Sequence, residues 1–190
     1  TDFRPILNRF RAQQPDILYI VSYADDGVAI TRQMREVGLS ADVIAIDTSA
    51  ALPSFVEQVG NLSEYIATVV SWSKDVKYKG VKDVYERLKA AAGSEPSFYE
   101  AEGYLALRVV ADALRRAGST DREAVRKALS ETDLETPITT VRFQSFDGFQ
   151  NQNPIRSLML QIQDGKHVTV FPEDLAAEKV RHPTPAWDKR

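Results

Sequence analysis

Short, continuously apolar runs separated by amphipathic segments are the feature of this sequence that most restricts its fold. Residues 17–21 and 43–46 are apolar at every position, and the segment between them has helical spacing and ends at Gly38. A strand that is apolar throughout, rather than at alternate positions, is typical of a parallel sheet with both faces covered. The pattern therefore predicts strand–helix units and an α/β fold, with a parallel sheet flanked by helices.

Several further segments have the spacing and the end signals of helices. They are residues 3–10, 52–59, 81–92, 97–117 and 121–131. The first of them carries its apolar side chains on one stripe, which predicts a single buried face, with Asp2 as a candidate N-terminal cap. Thr120 and Glu123 have the spacing of a capping box, which predicts that the last helix begins directly after Thr120.

A further strand pattern lies between the predicted helices of residues 52–59 and 81–92, and strand patterns return after Pro137. They cover residues 65–70, 141–143, 158–163 and 166–171. Asp164 and Gly165 join the last two, and an Asp-Gly pair tolerates the positive φ angles of a type I′ hairpin turn. Strand–helix units, then a cluster of helices, then strands again are difficult to place in one sheet built in sequence order. This order predicts a chain that leaves one lobe and later returns to it.

Composition excludes several classes of protein. The net charge of -3 provides no basic excess, so we expect no nucleic-acid partner. Cysteine is absent and the two histidines, His167 and His182, lack metal-ligand spacing, so we expect no metal site and no cofactor. No apolar run approaches the ~20 residues that cross a bilayer. The charged first residues are unlike a signal peptide, and we expect that any export signal has been removed.

One carboxylate stands out by its position. Asp47 directly follows the second apolar run, and open α/β sheets place ligand-contacting residues beyond the carboxyl ends of their strands. The alternative is a loop or capping aspartate beside Thr48. No G-x-S-x-G motif supports a hydrolase, so we expect no enzymatic activity. The lysines of residues 74–82 alternate with Asp75 and Asp83, which predicts a solvated surface rather than an anion site.

Three stretches carry short motifs in an informative order. The first has PDILY at 15–19, SY at 22–23 and RQMREVGL at 32–39; the second has GSEPS at 93–97, Tyr104 and ALRRAGS at 113–119; the third has TVRF at 140–143, DG at 147–148 and QIQDGK at 161–166. Together they resemble the type I periplasmic solute-binding proteins of ABC transporters, the branched-chain amino acid (Leu/Ile/Val)-binding family. The resemblance extends over nearly the whole chain.

The resemblance implies a two-lobed, hinged protein whose chain crosses between the lobes. It assigns residues 1–72 to the second, C-terminal lobe, residues 73–137 to helices of the first lobe, residues 138–171 to the return to the second lobe, and residues 172–190 to a C-terminal tail. Members of the family carry a complete first lobe on the N-terminal side. We therefore expect this chain to be the C-terminal portion of a longer protein, with the N-terminal lobe largely missing.

The resemblance also implies three ligand-binding residues. Asp47 aligns with the acidic residue that receives the ligand's ammonium group, and Tyr23 aligns with an aromatic residue of the same cleft. Tyr99 aligns with a first-lobe aromatic residue that packs on the ligand side chain, whereas Phe98 would be buried within its helix. A shift of one residue would exchange Phe98 and Tyr99, and a core position after a strand is the alternative for Tyr23.

These residues lead to a functional expectation. The resemblance implies a periplasmic protein, or a membrane-anchored extracytoplasmic lipoprotein, that captures an amino acid or an aromatic or other carboxylic acid for the membrane permease of an ABC transporter. The alternative is a ligand-sensing domain of a receptor or regulator with the same fold. A transmembrane or DNA-binding segment in the complete gene would indicate the sensor, and a signal peptide or lipobox would indicate transport.

Overall fold

The computed structural model describes all 190 residues, which form two compact units. Unit 1 comprises Thr1–Val76 and Leu158–Arg190, and unit 2 comprises Lys77–Ser157. The chain therefore leaves unit 1 and returns to it, as the order of elements predicted. It rejoins unit 1 at Leu158, later than the residue 138 expected from the sequence. The assignment of the two units to lobes of a longer protein stays a prediction.

Strands and helices alternate in the first part of the chain, three helices follow, and the last part contains only strands. In chain order they are α1 Arg4–Gln13, β1 Ile17–Ser22, α2 Ala24–Val37, β2 Val43–Thr48, α3 Pro53–Val59, β3 Ala67–Val70, α4 Val81–Ala92, α5 Phe98–Ala117, α6 Arg122–Ser130, β4 Asp133–Glu135, β5 Thr140–Arg142, β6 Gln144–Phe146, β7 Phe149–Gln152, β8 Leu158–Gln163 and β9 Lys166–Phe171. Short 3-10 turns occur at Ser49–Ala51, Gly60–Ser63 and Trp187–Lys189.

Unit 1 contains a five-stranded mixed sheet with the order β1-β2-β3-β8-β9. The first three strands are parallel, as predicted, whereas β8 runs antiparallel to β3 and β9 antiparallel to β8. The hairpin between β8 and β9 is confirmed, because Asp164 and Gly165 have φ angles of 53° and 72°. The parallel half therefore comes from strand–helix units and the antiparallel half from the returning chain.

The core of unit 1 lies on one face of this sheet. Leu18, Ile44 and Ile162 from the strands form a single buried cluster with Met34 of α2 and Phe55 of α3. On the opposite face of β1, the side chains Ile17, Tyr19 and Val21 are 66%, 60% and 70% exposed. The prediction that this strand is covered on both faces was therefore wrong for this chain, since α1, α2 and α3 all contribute to the cluster on one face.

The first helix forms as predicted, but its details differ. Leu7 is buried in α1 and Phe3 is half-buried against the core cluster, while Ile6 and Phe10 stay exposed, so the predicted stripe is only partly covered. Asp2 is not the cap. Phe3 occupies that position without a side-chain bond, and the Asp2 carboxylate instead accepts hydrogen bonds from the backbone and guanidinium of Arg4.

Unit 2 consists of α4, α5 and α6 with two small two-stranded ribbons, β4–β5 and β6–β7. The predicted capping box at Thr120 is wrong by one residue. Asp121 caps α6 by accepting from the Ala124 amide, and Glu123 is drawn to Arg126 at 2.8 Å instead of returning to the helix start. A capping box does occur at α5, between Ser97 and Glu100.

The predicted solvated surface at residues 74–82 is confirmed for its lysines, which are exposed. Asp75 differs, because both of its carboxylate oxygens are bonded to β9. One oxygen accepts from the Thr169 amide at 2.9 Å, and the other accepts from the Thr169 hydroxyl and from the Ser73 hydroxyl. Asp75 therefore fixes the last residues of unit 1's first segment to the edge of the sheet.

The Pro-rich tail after β9 is held to the sheet by hydrogen bonds. The Gln161 side chain exchanges two bonds of 2.8 Å with the Arg181 backbone, and the Gln163 amide donates to the Lys179 carbonyl at 2.9 Å. Trp187 donates to the Leu39 carbonyl and packs against the core cluster. The tail is thus held at two places in unit 1, by the glutamines of β8 and by the core cluster.

Candidate functional site

The carboxyl ends of β1 and β2 lie side by side in unit 1. Val21 is paired with Asp47 and Ser22 with Thr48 in the parallel ladder. Tyr23 follows β1 directly and is the N-terminal flanking residue of α2. The structure therefore brings two of the predicted ligand residues, Tyr23 and Asp47, to neighbouring strand ends.

The Asp47 carboxylate is partly buried and is oriented by two donors. Its Oδ1 accepts from the Thr48 amide at 2.8 Å, and its Oδ2 accepts from the Tyr19 hydroxyl at 3.3 Å. Each carboxylate oxygen has about two acceptor positions, so both oxygens retain capacity for a further donor. This arrangement holds the anion in place while leaving it able to bind a cation such as an ammonium group.

Tyr19 is a site residue that the sequence did not single out. It lies two residues before Val21, on the same face of β1, and Val21 is the ladder partner of Asp47. Desolvation, followed by the negative charge of Asp47 and the hydrogen bond to it, raises the pKa of the Tyr19 hydroxyl. A neutral phenol is therefore the donor to Asp47 at neutral pH. The alternation of side chains along β1 indicates that Tyr19 and Val21 share a face. The contact of Tyr19 with Asp47 depends in addition on the register between β1 and β2, which the sequence does not give.

The Tyr23 side chain is 79% exposed, so it is not a core residue of unit 1. Its backbone is extended, and α2 begins immediately afterwards with Asp25 and Asp26 in the first turn, where negative charge is favourable. This abrupt transition from strand to helix projects the ring from the strand end. Tyr23 thus offers an exposed aromatic surface directly after β1, the strand that is paired with the strand of Asp47.

A cavity of about 240 Å³ lies at the same strand ends and is formed by unit 1 alone. Its lining residues combine aromatic, aliphatic and polar side chains: Phe3, Val21, Ser22, Tyr23, Asp26, Ile30 and Thr48. Tyr23 and Thr48 belong to this lining, whereas Asp47 does not.

Gly27 allows α2 to approach the turn that follows β2. A Cβ atom at Gly27 would lie 1.7 Å from the Ser49 Oγ, and Ser49 is fully buried. The Ser22 hydroxyl also lies 3.4 Å from that of Ser49. This contact joins the end of β1, the start of α2 and the turn after β2. It therefore fixes the relative positions of the backbone segments that carry Tyr23 and Asp47.

Tyr99 belongs to unit 2, where it is the second residue of α5. Its side chain is 49% exposed, and its ring centroid lies 4.2 Å from that of the half-buried Phe98. Of the two aromatic residues, Tyr99 is the one more available to a ligand. Its role as a ligand residue stays a prediction.

Two further observations concern metals and membranes. No group of three or more His, Asp or Glu side chains is arranged to hold a metal ion. None of the helices combines the length and the apolar character that spanning a membrane requires.

Comparison with known proteins identifies the family. The model of the periplasmic binding protein family matches residues 1–166. The chain belongs to this family. Its two-unit fold, with a chain that crosses and returns, is the type I fold of these proteins, and the resemblance stated from the sequence motifs is confirmed.

Several relatives indicate how much of a family member the chain covers. It is 26% identical to the Leu/Ile/Val-binding protein homolog 7 of Brucella abortus (strain 2308), over 96% of this chain and 47% of the relative. A leucine-binding protein from Thermotoga maritima MSB8 superposes with a TM-score of 0.76 at 25% identity, over 88% of this chain and 47% of that one. The chain therefore spans about half the length of the relatives that it matches.

A third protein of similar structure has a different ligand. It is a solute-binding protein of an ABC transporter from Rhodopseudomonas palustris, solved in complex with benzoate. The TM-score is 0.71 at 14% identity, over 94% of this chain and 48% of that one. The fold is therefore shared by proteins whose ligands include an amino acid and an aromatic acid.

Proposed function

We propose that this chain is part of the extracytoplasmic substrate-binding component of an ABC transporter, and that the complete protein binds an amino acid or a similar small solute. The observation that carries the proposal is the Asp47 carboxylate, which stands at the carboxyl end of β2 with two donors orienting it and with acceptor capacity left. A carboxylate so placed can form a charge-assisted hydrogen bond to the ammonium group of a ligand. No chemical step is required of the site.

Tyr23 supplements the charge of Asp47 with an aromatic surface. Its ring is 79% exposed beside the strand ends, and aromatic side chains provide large contact area with few rotatable bonds. We propose that Tyr23 packs against the aliphatic part of the ligand while Asp47 receives its ammonium group. Tyr99 is proposed as a third contact, supplied by the helical part of the chain in the complete protein.

An α-amino acid is the ligand class that Asp47 favours. The names of the relatives specify leucine, isoleucine and valine, whose single positive charge would match one carboxylate. An aromatic acid is the second class, which the benzoate complex of one similar structure supports. Benzoate has no ammonium group, so Asp47 would have no partner in such a ligand and would repel its carboxylate. The identity of residue 47 therefore favours the amino acid.

Membership of the family supports a role in transport. We propose that the protein acts outside the cytoplasm, in the periplasm or anchored to a membrane by a lipid, and delivers its ligand to a membrane permease. Hinged closure around the ligand would create the form that the permease recognises. This role predicts saturable binding without turnover of the ligand.

Thermal shift measurements on the complete protein test the ligand class. The panel would contain the twenty standard amino acids and benzoate, each over a range of concentrations. Because a ligand that binds only the folded state stabilises it by about 2.7 kcal/mol at 100 times its Kd and by more at higher concentration, we expect Tm to rise steadily with the logarithm of the concentration of branched-chain amino acids. Such a rise with benzoate alone would replace the amino acid by the aromatic acid, and no rise in Tm with any compound would contradict the binding function.

A further inference from the structure

Thr48 adopts a backbone conformation that its side chain disfavours. Its φ and ψ angles are 60° and -65°, which lie outside the left-handed helical region and correspond to a rare γ-turn. The other non-glycine residues with positive φ are Gln14, Tyr65, Asp147, Asn151 and Asp164. Thr48 alone among these six residues is branched at Cβ, so its conformation is the most strained of the six.

The segments on both sides of Thr48 impose this conformation. On the N-terminal side, β2 is paired with β1 up to Thr48 itself. On the C-terminal side, Ser49 and Ala50 are fully buried, and the Ala50 carbonyl lies 2.6 Å from the His167 Nε2. Since neither flank can move without loss of buried contacts, the chain must reverse at a single residue.

The reversal determines what surrounds the Asp47 carboxylate. It turns the chain away from the sheet at Thr48, the last residue of β2, so the strand ends one residue after the carboxylate. It also accompanies the 2.8 Å bond from the Thr48 amide to Asp47 Oδ1, and Thr48 lines the cavity at the strand ends. Strain maintained at such a position is a recurring property of binding sites.

We infer that Thr48 is a positioning residue whose strained backbone holds the Asp47 carboxylate in its binding orientation. The protein thereby gives up folding stability for ligand affinity. This inference rests on the proposed function, because it assumes that Asp47 binds the ligand. A positioning role for Thr48 differs from a purely structural role in one respect: relief of the strain raises folding stability and lowers ligand affinity.

Two substitutions in the complete protein separate backbone strain from the threonine side chain. Thr48→Gly removes the steric conflict, because glycine adopts positive φ freely. Thr48→Ala removes the hydroxyl and the branch but retains a Cβ atom, and with it most of the strain. Tm is measured without ligand, and the Kd for L-leucine is measured by calorimetry. Asp47→Asn is measured alongside them.

We expect Thr48→Gly to raise Tm by about 2–4 °C and to weaken L-leucine binding by about tenfold. Thr48→Ala is expected to leave Tm unraised and Kd within about twofold of the unchanged protein. A Thr48→Gly protein with a lower Tm or an unchanged Kd overturns the inference. If Asp47→Asn weakens binding in that same experiment, only the inference about Thr48 fails and the proposed function stands. If Asp47→Asn also binds L-leucine normally, the proposed role of Asp47 fails as well.

Discussion

At the scale of single residues, the candidate site is defined by where side chains lie relative to the strand ends more than by their chemical type. The position of Asp47 at the carboxyl end of a parallel strand could be predicted from the sequence, because it follows an apolar run; its role as a ligand residue stays a prediction. Tyr19 could not be predicted, because its contact with Asp47 depends on the register of β1 against β2. The strained Thr48 was equally hidden, since threonine gives no sequence signal for positive φ.

Gly27 provides the first prediction. Gly27→Ala places a Cβ atom 1.7 Å from the Ser49 Oγ and 2.6 Å from the Ser49 Cβ, so α2 or the buried turn must shift. Overpacking of this kind costs about 1–3 kcal/mol, which exceeds the gain of roughly 1 kcal/mol from alanine's higher helix propensity. Chemical denaturation of the complete protein should therefore show a lower free energy of unfolding.

Gly103→Ala is the matched control for Gly27→Ala. Gly103 lies within α5, and a Cβ atom there meets no other atom within 4 Å. This substitution should leave stability unchanged or raise it by up to about 1 kcal/mol. Equal effects of the two substitutions would show that α2 does not pack closely against Ser49.

At the scale of helices and strands, local sequence signals located the elements better than their ends. The hairpin at Asp164 and Gly165 was predictable because few residue pairs suit a type I′ turn. The start of α6 was predicted one residue early, because Thr120 and Asp121 are both good capping residues. The capping-box spacing of Glu123 was misleading, since its carboxylate binds Arg126 on the helix surface.

The cap of α6 supplies a second prediction. Asp121→Ala removes the acceptor for the Ala124 amide, and the loss of an N-terminal cap costs about 1 kcal/mol. Thr120→Ala should have almost no effect, because the residue before the cap makes no such bond. Denaturant unfolding of both variants distinguishes the two positions; a larger loss for Thr120→Ala would restore the sequence-based assignment.

The bond between Asp75 and β9 leads to a third prediction. Asp75→Ala leaves the Thr169 amide without its acceptor in a buried position, which costs about 1–3 kcal/mol. Asp83→Ala is the control, because Asp83 is exposed on α4 and its nearest guanidinium nitrogen, on Arg87, is 3.9 Å away. Hydrogen exchange of the Thr169 amide should increase in Asp75→Ala only. Unchanged protection of that amide would remove Asp75 from its structural role.

At the scale of the whole molecule, the sequence predicted the path of the chain but not its surface. A helix cluster between two groups of strands indicated that the chain leaves one unit and returns, because a sheet built in sequence order cannot accommodate it. The exposed face with Ile17, Tyr19 and Val21 was not foreseen. Continuously apolar strands indicate that both faces are suited to burial, but they do not show which residues provide the cover.

The central claim is that Asp47 binds the ammonium group of the ligand. Isothermal titration calorimetry of the complete protein with L-leucine tests it in three forms: unchanged, Asp47→Asn and Asp42→Asn. Asp42 is the control because it is exposed at the opposite end of β2, where its backbone carbonyl, rather than its carboxylate, accepts from Thr184.

Replacing a charged acceptor by a neutral amide removes about 1.5–3 kcal/mol of hydrogen-bond free energy, or roughly 10- to 100-fold in Kd. We therefore predict that Asp47→Asn weakens L-leucine binding by at least about tenfold and that Asp42→Asn leaves Kd within about twofold. Equal Kd values for the unchanged and Asp47→Asn proteins would contradict the account.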